Sequence, residues 1–409
     1  MTASRPKAAR LSVAMIVRNC AAELRGTMQT VCDLADEIVV LDTGSTDDTP
    51  AVASALGAKL LKRPWDDDFS AARNACLAGA TRDWVLWLDA GEYLQPDSQA
   101  ALALALHEGL SADRAYLLPI VLPSKSGTAM GEQAAQVRLH PRRADLRFVG
   151  RVRERLDASL AAAQLSLDIL EVPVQRSDRQ HEPELRAARA QRNIRLADLA
   201  IAELGPSAVM HNCLGEALQT LAMPRQAADH YRRAQELSAP ASADELEAYY
   251  GLLSCLDVPS SADESATRQA QLTLAMKALE RFPLDAHLLV ALGIYLRALD
   301  HLPLAARSFD AAFRHGQIEP TLWHLAEIRE IAASCAAAAQ RQLGQTAAAR
   351  TLLEAAIRLF PASDKLQDEL NHLDDSPAIV RFDAPASQPT PSLFAPRPGE
   401  ISAKTAGGR

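Results

Sequence analysis

Residues 37–49 read Glu37-Ile38-Val39-Val40-Leu41-Asp42-Thr43-Gly44-Ser45-Thr46-Asp47-Asp48-Thr49: a short apolar run that breaks abruptly into small and polar residues. Four consecutive apolar residues, three of them β-branched, predict a strand buried on both faces. Gly44 permits the tight turn that follows, and Thr49 ahead of Pro50 predicts a helix N-terminus capped by Thr49. Working outward, Leu11–Val17 has the same buried-strand character and Ala21–Leu34 has helical spacing. Downstream come a helix over Ala51–Leu56 ending near Gly57, a strand at Ala58–Leu61, a helix at Ser70–Ala80 and a strand at Trp84–Leu88 closed by Asp89. Alternating strands and helices predict right-handed βαβ units and a parallel sheet, whose ligands bind outside the carboxyl ends of the strands. Asn19, Asp42 and Asp89 fall at three such ends.

The next segment is mixed, with strand-like stretches at Ala115–Leu122, Gln136–His140 and Leu170–Val174. A basic stretch runs from Arg138 to Arg155, seven arginines against Asp145 and Glu154. From about 185 the chain reads as helix and repeats itself. Leu214-Gly215, Leu218, Ala227, Tyr231 and Ala234 recur as Leu292-Gly293, Leu296, Ala305, Phe309 and Ala312, at identical offsets from the glycine. Small residues at these places let antiparallel helices approach closely, and the aromatic fills the gap between hairpins. This is the tetratricopeptide pattern of about 34 residues. Ala278 and Pro283 end a degenerate repeat with its inner loop lengthened around Pro259–Ser265, and Ala349, Leu353, Ala356 and Pro361 fit a further one. His211, His230, His287 and His324 occupy repeat positions and read as packed or surface residues rather than ligands.

Composition sets the outer limits. The 409 residues are 48% hydrophobic and 23% charged, enough apolar content to fill real cores. No apolar run reaches the roughly 20 residues of a membrane helix. Leu11–Val17 is too short for a signal peptide and ends in Arg18 and Asn19 rather than a small-residue cleavage site. A net charge of −8 argues against a nucleic-acid binder. Six cysteines lie far apart without a CxxC pair, so neither a disulfide framework nor a zinc site is indicated and a reducing cytoplasm is expected. Only 18 residues are aromatic, and five of them (Trp65, Phe69, Trp84, Trp87, Tyr93) crowd into residues 65–93.

Four motifs in order carry a family resemblance: Ser12-Val13-Ala14-Met15-Ile16-Val17-Arg18-Asn19; Asp42-Thr43-Gly44-Ser45-Thr46-Asp47-Asp48-Thr49; Trp65-Asp66-Asp67-Asp68-Phe69-Ser70-Ala71-Ala72-Arg73-Asn74; and Trp87-Leu88-Asp89-Ala90-Gly91-Glu92. Together they resemble family 2 glycosyltransferases of the GT-A fold, in the bacterial subgroup with C-terminal tetratricopeptide repeats. The resemblance is strong over residues 11–95 and weak over 136–156. It implies a nucleotide-sugar donor, taken as a UDP-sugar, bound by Val17, Asn19, Asp42, Gly44, Ser45, Asp68, Arg73, Asn74 and Ala90, with Asp42 on the base or ribose. Arg73 reaches a carboxylate or the sugar, or only ties its helix to the sheet.

The resemblance also implies a divalent cation, Mn²⁺ or Mg²⁺, held by an Asp-x-Asp against the donor diphosphate. The second aspartate is Gly91 here. Asp89 and Glu92 are therefore the candidate metal ligands, and the basic stretch is a candidate replacement for the cation, arginine being able to neutralise diphosphate bidentately. Gly150-Arg151-Val152-Arg153-Glu154 fits the family's Gly-x-x-His-Glu except for Arg153. That makes Glu154 the candidate base of an inverting transfer, with Asp89 as its catalytic companion. An ion pair of Glu154 with Arg151 or Arg155 is the structural alternative. Cys20 has no histidine partner nearby in sequence and no nucleophile role.

The expected organisation is a flexible N-terminus at 1–10, an α/β GT-A domain with a mainly parallel, Rossmann-like sheet at 11–180, an all-α tetratricopeptide solenoid at 185–375 and a disordered Pro-rich tail at 376–409. The expected function is transfer of a hexose or N-acetylhexosamine to a protein or peptide presented by the repeats. The alternative is a catalytically weakened transferase-like domain serving as a protein-binding scaffold, a reading favoured by Gly91 and Arg153. No nucleic-acid partner and no integral membrane segment are expected.

Overall fold

A computed structural model describes residues 9–122, 131–177, 182–257 and 264–373. The expected Pro-rich tail, most of the flexible N-terminus and most of the lengthened loop at 259–265 lie outside the described residues. The chain forms two compact units. The first runs to Leu185 and takes in Gln191–Gly205; the second comprises Arg186–Ala190 and the chain from Pro206 onward. The sequence reading placed the division at 180–185, whereas Gln191–Gly205, the last part of helix α6 (Pro183–Leu204) and the glycine that follows it, groups with the first unit.

In the first unit β1 (Leu11–Val17), β2 (Glu37–Asp42), β3 (Lys59–Lys62) and β4 (Trp84–Trp87) run parallel in the order β3-β2-β1-β4. Chain direction reverses at β7 (Glu132–Pro141), which pairs antiparallel with both β4 and β6 (Arg114–Leu122). Beyond β6 lie β8 (Ser166–Ile169), β9 (Val174–Arg176) and, paired to β9, β5 (Glu92–Leu94). The sheet is thus parallel over β3-β2-β1-β4 and mixed beyond β4, the mainly parallel arrangement that the sequence predicts.

Both faces of the parallel strands are covered, which is why they read as continuous apolar runs. Val13, Met15, Ile38 and Val40 pack on one side with α1 (Ala21–Gln29), α2 (Thr49–Ala55) and α4 (Pro96–Glu108). Ala14, Val39, Leu41, Val85 and Trp87 pack on the other with α3 (Phe69–Gly79).

Three local expectations are corrected. The helix expected over Ala21–Leu34 ends at Gln29. The strand expected over Leu170–Val174 falls in the gap between β8 and β9, with only Val174 in β9; Pro173, lacking an N–H, cannot continue a ladder there. The N-cap of α2 is Asp48 rather than Thr49. The Thr49 hydroxyl is already occupied, donating to Asp47 Oδ1 at 2.6 Å and accepting from the Cys20 N–H at 2.8 Å.

The second unit is built of helices from α7 (Ala208–Thr220) to α15 (Asp364–Asn371), successive helices packing as hairpins in the tetratricopeptide manner. The repeat glycines explain themselves here. A methyl on Gly215 would lie 2.7 Å from the Tyr231 ring, and one on Gly251 of the following helix would overlap the same ring. Phe309 closes in the same way on Gly293. Each aromatic is buried in a slot that exists only because the facing helix lacks a Cβ, and Ala227, Ala234, Ala305 and Ala312 are fully buried around these rings.

Candidate active site

β1 lies between β2 and β4, and the chain after each of these strands turns out at one edge of the sheet. In β1 and β2 the register sets Val17 opposite Asp42. The Val17 carbonyl accepts both the N–H and the hydroxyl of Thr43 at 3.0 Å. Asp42 is buried, and its Oδ1 accepts the Ser45 N–H at 3.0 Å, folding the turn back over the strand end. Gly44 turns at φ +104 with open space where a Cβ would be. Asn19, itself at φ +50, donates its N–H to Ser45 Oγ at 3.0 Å and accepts the Thr46 N–H on Oδ1 at 2.7 Å. The structure thus brings Val17, Asn19, Asp42, Gly44 and Ser45 together in one cradle between the loops after β1 and β2. Burial pushes the Cys20 thiol up, so it stays protonated and unreactive at neutral pH.

The second half of the site is an ion-pair cluster after β4. The Asp89 carboxylate faces three guanidiniums: Arg73 at 3.2 Å, Arg138 at 3.5 Å and Arg176 at 3.9 Å. Burial pushes its pKa up, but Arg138, Arg73 and Arg176 together outweigh that and hold the carboxyl well below the usual carboxylate range. Arg73 also donates Nε–H to Glu154 Oε1 at 2.5 Å, and its guanidinium lies 5.2 Å from the Trp87 ring centroid and 5.5 Å from that of Phe148. It reaches Asp89 and Glu154 rather than Asp42. Neither Arg151 nor Arg155 is the partner that Glu154 shows here.

Glu92 is buried beneath the cluster. It accepts from Arg138 at 2.8 Å, from Arg176 at 2.6 Å and from the Asp89 N–H at 2.9 Å. Ala90 lies between the two carboxylates in sequence, and Gly91 adopts φ +94, its N–H bonded to Thr27 Oγ1 at 2.9 Å.

Two residues offered for donor binding are also engaged in local hydrogen bonds. Asn74 donates to the Phe148 carbonyl at 2.9 Å and accepts the Phe148 N–H at 2.8 Å, pinning the segment that leads to Glu154. Asp68 is the N-cap of α3, its Oδ1 accepting from the Ala71 N–H at 2.9 Å and from Ser70 Oγ at 2.7 Å. The acidic loop before it is tied down as well. Asp67 pairs with Arg195, and its carbonyl accepts from Arg151, whose guanidinium also holds Glu203 at 2.6 Å.

Of the seven arginines in the basic stretch, Arg138 reaches Asp89, while Arg142 bonds the Ala80 carbonyl and Arg143 pairs with Asp145. Sequence reasoning missed Arg176. It stands on a three-residue strand whose register with β5 sets it opposite Glu92, a pairing with no local sequence signal.

This donor set does not fit a divalent cation. Asp89 is already faced by three guanidiniums, Glu92 is only 1% exposed and fully engaged, and Gly91 has no side chain to add a ligand, its carbonyl already accepting the Ser177 N–H at 2.9 Å. Among the described residues no group of three or more His, Cys, Asp or Glu side chains is placed to hold a metal.

Residues 12–113 match the profile of glycosyl transferase family 2. The chain is 42% identical over 156 residues to a TPR repeat-containing protein of Synechococcus elongatus, covering 38% of each chain. It is 37% identical over 93 residues, 22% of this chain and 31% of the other, to an uncharacterized glycosyltransferase of Rickettsia felis. The matched parts thus span only about a third of the length of these relatives. A solved structure of glucosyl-3-phosphoglycerate synthase from Mycobacterium tuberculosis, in complex with Mn²⁺, UDP and glucosyl-3-phosphoglycerate, overlaps with a TM-score of 0.34 at 18% identity, covering 47% of this chain and 79% of that one. The family 2 glycosyltransferase match thus lies within the first unit, at residues 12–113, and helices packed in the tetratricopeptide manner follow it. Among the described residues no helix is long and apolar enough to cross a membrane.

Proposed function

We propose that the chain transfers a hexose or N-acetylhexosamine from a UDP-sugar to a protein or peptide presented by the repeat helices, with inversion at the anomeric carbon. One observation carries this reading. Asp42 and Asp89 close the two strands that flank β1, at the same edge of the sheet, and Arg73 joins Asp89 to Glu154. A nucleoside cradle, a charged cluster suited to the diphosphate and a carboxylate base then belong to one site.

In this reading Asp42 accepts hydrogen bonds from the uracil N–H or ribose hydroxyls, and the Val17 main chain, Asn19, Gly44, Ser45 and Ala90 line the donor. Arg73 faces the phosphates, and Asp89 accepts hydrogen bonds from the sugar hydroxyls. Asn74 and Asp68 act as positioning residues for the Phe148–Glu154 segment and for α3. Glu154 takes the proton from the acceptor oxygen or sulfur as that atom attacks the anomeric carbon. The bond from carbon to the phosphate oxygen breaks, and its electron pair leaves with UDP. The repeat helices supply the surface that such solenoids use for peptide recognition.

A second reading, a catalytically weakened domain serving as a protein-binding scaffold, draws on Arg153 and Gly91, which stand where the family resemblance expects histidine and aspartate. A screen of UDP-sugars with lysate proteins as acceptors, read as UDP release, separates the two. Turnover that Asp89→Ala abolishes supports the transferase. No turnover with any UDP-sugar, alongside partner capture that Asp89→Ala leaves intact, establishes the scaffold.

A further inference from the structure

We infer that Arg73, Arg138 and Arg176 hold the donor diphosphate directly, in place of a divalent cation. The inference rests on the transferase reading above and goes beyond it by assigning the source of the neutralising charge. Three observations converge on it.

First, the backbone at the second carboxylate position disfavours a carboxylate. Gly91 sits at φ +94, and a Cβ there would come within 3.3 Å of Ser177 Oγ and 3.8 Å of Glu23 Cγ. A left-handed conformation costs an L-residue roughly 1–2 kcal/mol before any contact is counted.

Second, the bonds that hold Asp89 are graded. Arg138 and Arg176 hold buried Glu92 at 2.8 and 2.6 Å but reach Asp89 only at 3.5 and 3.9 Å. Glu92 is the fixed anchor of the two guanidiniums. Asp89, 38% exposed, is a loosely held anion at the open end. Phosphate oxygens carry more charge and match the planar guanidinium fork bidentately, so they compete well for the place Asp89 occupies.

Third, Arg138 is 4% exposed, and its Nε–H is buried with no hydrogen-bond partner among the described residues. An unpaired buried donor of this kind raises the energy of the free site, and an arriving anion can relieve it.

Under this arrangement Asp89 competes with the diphosphate for the arginines. A cation-bridged site has the opposite property, because there Asp89 is what recruits the metal. The two therefore differ in sign on removal of the Asp89 charge. The test is calorimetric titration of the full chain with UDP, in EDTA and again in excess Mn²⁺, for the wild type, Asp89→Asn, Arg138→Met and Arg176→Gln. Circular dichroism checks that each variant is folded, and Arg176→Gln at the cluster's edge serves if Arg138→Met does not fold.

The inference expects UDP to bind in EDTA with a Kd within about threefold of that in Mn²⁺. Asp89→Asn should bind at least as tightly as the wild type, and loss of either arginine should weaken binding roughly 10-fold or more, as expected for a charge-assisted bond. Binding that needs Mn²⁺ and disappears in Asp89→Asn overturns the inference and leaves the transferase reading standing. Failure to bind any nucleoside diphosphate in either medium overturns both.

Discussion

Arg73 donates Nε–H to Glu154 Oε1 at 2.5 Å and reaches Asp89 Oδ1 with Nη2 at 3.2 Å, so one guanidinium joins the end of β4 to the loop that follows β7. The two carboxylates are 65 positions apart in sequence and share this partner. Burial lowers the affinity of Arg73 for its proton, but Glu154 and Asp89 more than reverse that, and its charge is permanent. Arg73 and Glu154 are each 11% exposed. Removing one member of such a pair leaves an uncompensated charge. Arg73→Met is expected to destabilise the first unit by about 3 kcal/mol. Arg73→Lys, which keeps the charge but cannot bridge both carboxylates, should cost less. Urea unfolding of the two variants at neutral pH checks the order.

Glu154→Gln separates the two things Glu154 is asked to do. An amide oxygen still accepts from Arg73, so the fold should hold, while the proton-accepting carboxylate is gone. Turnover should fall by about 100-fold or more, the usual scale for a general base. UDP affinity should stay close to that of the wild type. A fall in UDP affinity matching the fall in turnover would show that Glu154 acts on donor binding instead.

His140 gives the first unit a pH dependence. It is fully buried on β7, with Nε2 accepting the Trp87 Nε1–H at 3.1 Å and Nδ1 against the Pro141 carbonyl at 2.9 Å. Because an indole nitrogen only donates, Nδ1 carries the proton and the ring is neutral. Burial pushes its pKa down to about 4 from 6.5, with only a small opposing effect of the Pro141 carbonyl. The unfolded chain therefore binds the proton more tightly. The stability contribution is whole above about pH 6.5 and is lost as pH falls toward 4, up to about 3 kcal/mol. Urea midpoints measured from pH 7.5 to 4.5 should fall more steeply for the wild type than for His140→Gln.

In the repeat unit, Gly251→Ala places a methyl inside the Tyr231 ring and forces α8 (Pro224–Leu237) and α9 (Ala243–Leu256) apart. The overpacking is expected to cost about 1–3 kcal/mol despite the better helix propensity of alanine. Gly251→Ala combined with Tyr231→Leu should recover part of that loss, which thermal melts of the single and double variants would report.

The sequence alone determined a great deal of this molecule, because the signals involved are local and periodic. The apolar runs within Leu11–Val17 and Ile38–Leu41 specify buried strands, and the polar residues that follow the strand cores, Asn19, Asp42 and Asp89, mark the edge of the sheet that holds the candidate site. Identical offsets around Gly215 and Gly293 specify helical hairpins closed by Tyr231 and Phe309.

Only the tertiary structure decided the electrostatics of the site. Nothing near Asp89 in sequence announces that Arg73, Arg138 and Arg176 converge on it from α3, β7 and β9. Nor does the sequence show Glu92 taken into the interior as their counter-charge, or Asn74 holding the Phe148 main chain. Charge acts through space, over distances that chain separation does not record. Which arginine meets which carboxylate depends on strand register and packing, and a motif read along the chain contains neither.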